Sequence, residues 1–321
     1  MKAIRIHQRG EPEVMKLEEL DMPVPAEGEL LIKVAVAGIN YSDIGQRNGK
    51  YPNLVALPTT LGNEVGGTVV AHGPGVTTPA IGTRVVSLVN GGYAEYALAQ
   101  VSNVVPIPDE VPFTQAIVLP IQGQTYYLLL EKAARFQKGE RILMHAASGG
   151  VGSLVVQLAK ALGAGMIIGT ANSPEKLDFI RSLGADGAIN TNDDNWIEQV
   201  MQATQGKGVD VVLDSIGGGI GQQSIACLAP FGRMVVFGSL SNEVTPFVTQ
   251  MLIPKCQTIS GYNTVVQNHE DQMRASQALL EAMATGQLKV MVDRTYPLAE
   301  VRAAHQVIEE NKTQGKVLLT V

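Results

Sequence analysis

Residues 140–162 constrain the fold more than any other part of the chain. ERILMHA reads as a buried strand, the glycine-rich turn His145–Ser153 follows at once, and a helix follows the turn. Val151, Leu154, Val155, Leu158, Ala159 and Leu162 fall at i, i+3, i+4, i+7, i+8 and i+11, which puts them on one helical face. The core of the turn, Ala147-Ser148-Gly149-Gly150-Val151-Gly152, is the G-x-G-x-x-G pattern with Ala in the first place. That pattern gives a sharp turn, a backbone bare enough for a pyrophosphate to touch, and close helix–strand packing. The helix N-terminus adds free N–H groups and a positive dipole end. The same glycines also make a purely structural tight turn. A strand, loop, helix and strand all in register favour the dinucleotide-binding reading.

Downstream the text alternates. GMIIGT, GAIN, VDVVLDS, GRMVVFG and TISGY read as strands; PEKLDFIRSL, NWIEQVMQAT and QQSIACLA read as helices. Uniformly apolar strands alternating with helices specify parallel strands buried on both faces, so this part is α/β, a doubly wound parallel sheet of the Rossmann type. Upstream the text is β. LLIKVAVAGI, EVGGTVVAHG, RVVSLV and AEYALAQ are β-branched runs separated by Gly and Pro, as in a barrel or sandwich, and the pattern changes near Val111–Gln124. The tail carries helices at about 271–285 and 299–311 and a strand at Lys316–Val321.

The residues after the second strand bear on which dinucleotide binds. NAD sites place an acid about 20 residues on, to hold the ribose hydroxyls. No carboxylate lies between Val151 and Pro174. Ser173 and Lys176, with a helix N-terminus between them, suit a 2′-phosphate instead and favour NADPH. Ser-Pro is also an ordinary N-cap followed by Pro at N1, and Lys176 could be solvated.

With 24 basic and 30 acidic residues the net charge is −6, which gives no electrostatic basis for binding nucleic acid or anionic lipid. Two cysteines make neither a disulfide framework nor a Cys-rich metal site. Charges recur through the first twenty residues, and the uncharged Val65–Thr83 is broken by Gly, Pro and Thr. The expectation is a cytoplasmic protein without a membrane span.

GINYSD, LGNEVGG and GGYAEYA, then AASGGVG and a terminal GKVLL, resemble the medium-chain dehydrogenase/reductase superfamily, and within it the zinc-free quinone oxidoreductases. The resemblance implies a discontinuous, β-rich, GroES-like catalytic domain from residues 1–122 and 266–321, and a Rossmann NADPH-binding domain at 123–265. It places the active site in the cleft between them. It implies a homodimer joined along the strand near Thr258–Tyr262, and hydride transfer to quinones or other conjugated carbonyls. An enoyl-thioester or alkenal reductase, and a cofactor-binding protein with little turnover, remain alternatives.

Zinc-dependent relatives carry Cys where this chain has Asn40, His where it has Asn63, and a third ligand near Ile121–Gln122. Amides are poor zinc ligands beside thiolate and imidazole, so no metal is expected. Tyr51 and Asn40 are then the candidate donors to the substrate oxygen, with Asp43 beside them in a mostly structural place. Asn-x-Ser-Asp is equally a helix-capping string, and Tyr51 before Pro52 equally serves loop packing. Glu64 and Lys316 match an acid and a base that lie near each other and near the pyrophosphate in relatives, although Arg is commoner than Lys there. Gly238, Ser239 and Leu240 match backbone that lines the nicotinamide. Asn190-Thr191 stands where NADPH-dependent relatives often have Asn-Tyr.

Overall fold

The computed structural model describes residues 1–321. The chain forms two compact units, Met1–Gln122 with Ser276–Val321, and Gly123–Ala275. The second division falls at Ala275, ten residues beyond the boundary expected at 265, and lies inside a helix.

In chain order the first unit opens with strands β1 (Lys2–Ile6), β2 (Lys16–Glu19) and β3 (Glu29–Ile39). Helix α1 (Tyr41–Asn48) follows, then β4 (Thr59–Thr60), β5 (Glu64–His72), β6 (Arg84–Leu88), β7 (Tyr96–Gln100), β8 (Val104–Pro106) and α2 (Phe113–Ala116). The second unit holds α3 (Gln124–Leu128), β9 (Arg141–Met144), α4 (Gly150–Ala161), β10 (Met166–Ala171), α5 (Pro174–Ser182) and β11 (Gly187–Asn190). It continues through α6 (Trp196–Ala203), β12 (Val209–Asp214), α7 (Gly218–Gln223), β13 (Leu228–Val236) and β14 (Thr258–Gly261). Helix α8 (His269–Ala284) leads back to the first unit, which ends with β15 (Val292–Pro297), α9 (Val301–Glu309) and β16 (Lys316–Thr320).

The first unit is a seven-stranded sheet in the order β15-β16-β3-β5-β6-β8, with β7 also paired to β3, beside a small sheet β2-β1-β4. All pairs are antiparallel except β15 with β16. Ile32, Val65, Val69, Val85 and Tyr93 form its core with Val301 and Ala304 of α9 and Val317 and Leu319 of β16. Each large apolar side chain buried there contributes about 1.5–3 kcal/mol.

The second unit is one parallel six-stranded sheet in the order β11-β10-β9-β12-β13-β14, the doubly wound order. Two expectations change here. Leu162 is the C-cap of α4 and is 46% exposed, whereas Val156 is fully buried. The buried face of α4 is wider than one stripe because the helix packs on α3 as well as on the sheet. QQSIACLA is also not one helix: α7 ends at Gln223, a short 3-10 turn covers Ser224–Cys227, and Leu228 already belongs to β13. Pro230 is tolerated in β13 because the ladder to β12 is interrupted there, between Leu228 and Arg233. No helix is long and apolar enough to cross a membrane.

Candidate functional site

In the first unit the first turn of α1 organises a buried polar cluster. Asn40 is the N-cap, and its backbone N–H donates to the Asp43 carboxylate at 2.8 Å, half of a capping box. Its side-chain amide donates to Glu64 Oε1 at 2.9 Å and accepts from Lys316 Nζ at 2.9 Å and from Gln122 Nε2 at 3.3 Å. Lys316 also donates to the carbonyl of Ile39 at 3.1 Å and pairs with Glu64. Gly38 leaves room for this pair, since a Cβ there would stand 2.8 Å from Lys316 Cε.

Lys316 lies against Glu64, as the resemblance implies, and it is buried. It is 1% exposed, and its three hydrogens are matched by Ile39, Asn40 and Glu64, so it holds Asn40 rather than reaching outward. A buried ammonium without such partners would be costly, which is why β16 delivers Lys316 against an acid.

Asp43 is also fully buried. Its Oδ2 accepts from the Asn40 N–H and from the Tyr93 hydroxyl, the latter at 3.2 Å, while Oδ1 has no partner. Burial pushes its carboxyl up to about 7, and Glu64 adds to the rise; the Asn40 N–H, Lys316 and Tyr93 oppose it. Tyr93 gives its one proton to Asp43, so His305 Nε2, 3.2 Å away, is the donor to the phenol oxygen. Burial, with Arg47 nearby, lowers His305 to about 3. Arg47 is itself buried and pairs with Glu309 of α9.

Asn40, Asp43 and Lys316 thus meet in one cluster, and Tyr51 lies outside it. Tyr51 sits in the turn that leaves α1, its N–H on the Gly45 carbonyl at 3.1 Å, and its phenol makes no hydrogen bond within the chain. Arg9 donates to the carbonyls of Gln46 and Val55, and Gln46 brackets the loop through Asn53 O and the Val55 N–H. Tyr93 and His305 were not anticipated, and Gln122 stood out only as lying near the third zinc-ligand position of relatives. Of the first two only His305 has a legible signal, its place among Val301, Ala304 and Ile308 on the inward face of an amphipathic helix.

In the second unit Gly149 caps α4 with no side-chain hydrogen bond. The first helical amides, Gly150, Val151 and Gly152, have no acceptor from a preceding turn, so the N-terminus presents bare donors, as an anionic group needs. A Cβ on Gly152 would stand 2.6 Å from Ala147 Cα, so only glycine lets α4 lie this close to the turn. Ala147 and Ser148 are buried, and Ala147 N–H is tied to Thr170 O at 3.0 Å.

Beneath the turn His145 is fully buried. Ser224 donates to Ile220 O at 2.7 Å, so it accepts from His145 Nε2–H, and His145 Nδ1 accepts from Thr170. Burial lowers His145 to about 4, with Asp214 opposing.

At the end of β10, Ser173 caps α5, its hydroxyl accepting the Lys176 N–H at 3.4 Å. Lys176 is buried rather than solvated. The Glu175 carboxyl is held below its usual range by its own backbone N–H and by the Ser173 hydroxyl. Gly238, Ser239 and Leu240 follow β13 and fold back on the segment after β12, with Leu240 N–H on Ser215 O at 2.9 Å. A Cβ at Gly238 would stand 3.0 Å from that same carbonyl.

No group of three or more His, Cys, Asp or Glu side chains is placed to hold a metal. The Asn40 side chain is already matched by Glu64, Lys316 and Gln122, and an amide so engaged does not fit a zinc ion.

Two family profiles match the chain: the alcohol dehydrogenase GroES-like domain over residues 26–109 and the zinc-binding dehydrogenase over residues 150–282. A quinone oxidoreductase of Salmonella typhimurium is 36% identical, with 98% of each chain covered. The human quinone oxidoreductase is 33% identical over 99% of this chain and 97% of its own. Among solved structures, Escherichia coli quinone oxidoreductase complexed with NADPH superposes with a TM-score of 0.94 at 34% identity, covering all of both chains. The two profiles in this order and the full-length similarity place the chain in the medium-chain dehydrogenase/reductase superfamily, in its quinone oxidoreductase branch.

Proposed function

We propose that this chain is an NADPH-dependent, metal-free reductase of quinones and other conjugated carbonyls. The observation that carries the reading is the bare Ala147–Gly152 turn over the N-terminus of α4, in a chain similar along its whole length to quinone oxidoreductases. The amides and dipole of that turn suit a pyrophosphate. Ser173 and Lys176, in the first turn of α5, suit a 2′-phosphate, and the backbone of Gly238, Ser239 and Leu240 suits contact with a nicotinamide ring. NADPH, when bound, supplies the hydride.

The acceptor's oxygen gains negative charge as hydride reaches its carbon, and fixed hydrogen-bond donors stabilise that charge. Tyr51 has an uncommitted phenol for this purpose. Asn40 has one amide hydrogen beyond the one it gives Glu64. Lys316 and Glu64 orient Asn40, which makes them positioning residues.

The test is NADPH and NADH oxidation over quinones, enones, alkenals and crotonyl-type thioesters, for wild type and Lys176→Ala. Quinones should turn over with NADPH. Lys176→Ala should weaken NADPH about tenfold to a hundredfold and leave NADH nearly unchanged, because a charge-assisted contact is lost. Thioesters far outpacing quinones would overturn the acceptor class, and equal losses for the two cofactors would remove Lys176 from the phosphate site.

A further inference from the structure

Beside Asp43 lies a small cavity of about 30 Å³, walled by Asp43 itself with Gln46, Val55, Thr60, Asn63 and Asn90. A water needs about 10–15 Å³ on this measure and two to four polar partners, so the cavity has room for a water and the side chains to hold it. Asp43 Oδ2 is taken by the Asn40 N–H and Tyr93, and its Oδ1 is buried with no hydrogen-bond partner within the chain. Val55 is 42% exposed and Asn90 is also exposed, so the cavity reaches the surface beside the Tyr51–Leu57 loop.

The charges around Asp43 are already balanced. Glu64 and Lys316 face it as a closed pair, and Arg47 is paired with Glu309. Tyr93 and His305 are uncharged, and His305 is held so by burial. No spare cation stands by to stabilise an anionic Asp43.

We propose that Asp43 is the proton store of the reaction: its Oδ1–H donates to a water in the cavity, and that water passes a proton to the acceptor oxygen as hydride arrives on carbon. The inference rests on the quinone and enone reductase reading. The acceptor gains one hydride from NADPH and one proton. The Oδ1–H bond breaks as a water O–H bond forms, and a second O–H bond of that water breaks toward the acceptor. The carboxylate then takes a proton back from solvent through the cavity. Only the cofactor is oxidised and only the acceptor reduced.

Burial holds the Asp43 carboxyl near neutrality, which suits both giving up and regaining a proton at that pH.

The experiment pairs infrared spectroscopy of the substrate-free protein with pH profiles of kcat/KM for wild type, Asp43→Asn and Tyr93→Phe. A protonated-carboxyl band present at pH 6 should fade as the pH rises through about 7 and be missing in Asp43→Asn. Over the same range the wild-type kcat/KM should fall, and Asp43→Asn should lose that limb and about 10²–10³ of the rate at pH 6. Tyr93→Phe removes a hydrogen bond to the charged form, so its limb should move to higher pH, which keeps the inference testable if Asp43→Asn does not fold. An ionised Asp43 at pH 6, or a limb that survives Asp43→Asn, overturns the proton store. A protonated Asp43 in a protein that reduces none of the acceptors overturns the functional reading on which it rests.

Discussion

His145 and His305 are both fully buried and both uncharged, and this makes the molecule sensitive to acid. In the unfolded chain each imidazole takes its proton near pH 6.5; folded, they wait until about 4 and about 3. The stability they contribute is whole above pH 6.5 and is lost as the pH falls below it. Asp43 works the other way. Its carboxyl titrates at about 7 when folded against 3.8 unfolded, so its contribution is whole below 3.8 and is lost as the pH rises through 7. Near pH 5 the two imidazoles of the unfolded chain hold two protons, while the folded chain holds one, on Asp43. The net loss is one proton's worth, about 1.4 kcal/mol per pH unit. Urea unfolding at a series of pH values should show that decline, and Asp43→Asn should steepen it toward two protons' worth. A flat stability across this window would mean that the imidazoles are not held neutral.

Among the elements, α4 and its turn carry the sharpest requirement. Gly152→Ala would press a methyl onto backbone, the Ala146 carbonyl and Ala147 Cα, neither of which can swing aside. The expected cost is about 1–3 kcal/mol, with weaker NADPH binding because the N-terminus of α4 must back away from the turn. Gly149→Ala meets only the Ala146 carbonyl, at 3.3 Å, and Gly149 has an ordinary φ of −78°, so its cost to folding should be much smaller. Urea unfolding with fluorescence titration of NADPH separates the two variants, and equal stability for both would refute the close-approach argument. The same turn was the most legible part of the sequence, because its chemistry is local. GAIN is likewise a strand from its first residue to its last, since its neighbours are turns. The start of β13 was not legible, because Leu228 and Ala229 look like the end of a helix until the strand beside them is known.

At the scale of the whole molecule, the polar cluster shows what a sequence conceals. Asn40, Glu64 and Lys316 each stand out as residues, but Lys316 and Glu64 are 252 positions apart, and only the pairing of β16 with β3 brings them together. The resemblance implies the neighbouring acid and a place near the pyrophosphate; the fold adds the Ile39 carbonyl and the Asn40 amide as partners of Lys316. That same occupation of Asn40 bears on metal. Elemental analysis of the purified protein should find substoichiometric zinc, and a chelator should leave NADPH oxidation intact. One tightly held zinc per chain, needed for turnover, would overturn the metal-free reading.

The position of β16 also sets a timetable for synthesis. It lies between β15 and β3, pairing with Val36–Ile39, so it is an inner strand of its sheet although it is made after the strands it joins. A ribosome therefore releases the whole Rossmann unit while β3 still lacks its second neighbour along that stretch and Glu64 still lacks its cation. Open strand edges invite pairing with other chains, so the nascent protein is exposed to aggregation until β16 emerges, well after the rest of its sheet. A stop that removed β16 would spare every glycine of the Ala147–Gly152 turn and still leave the first unit unable to close.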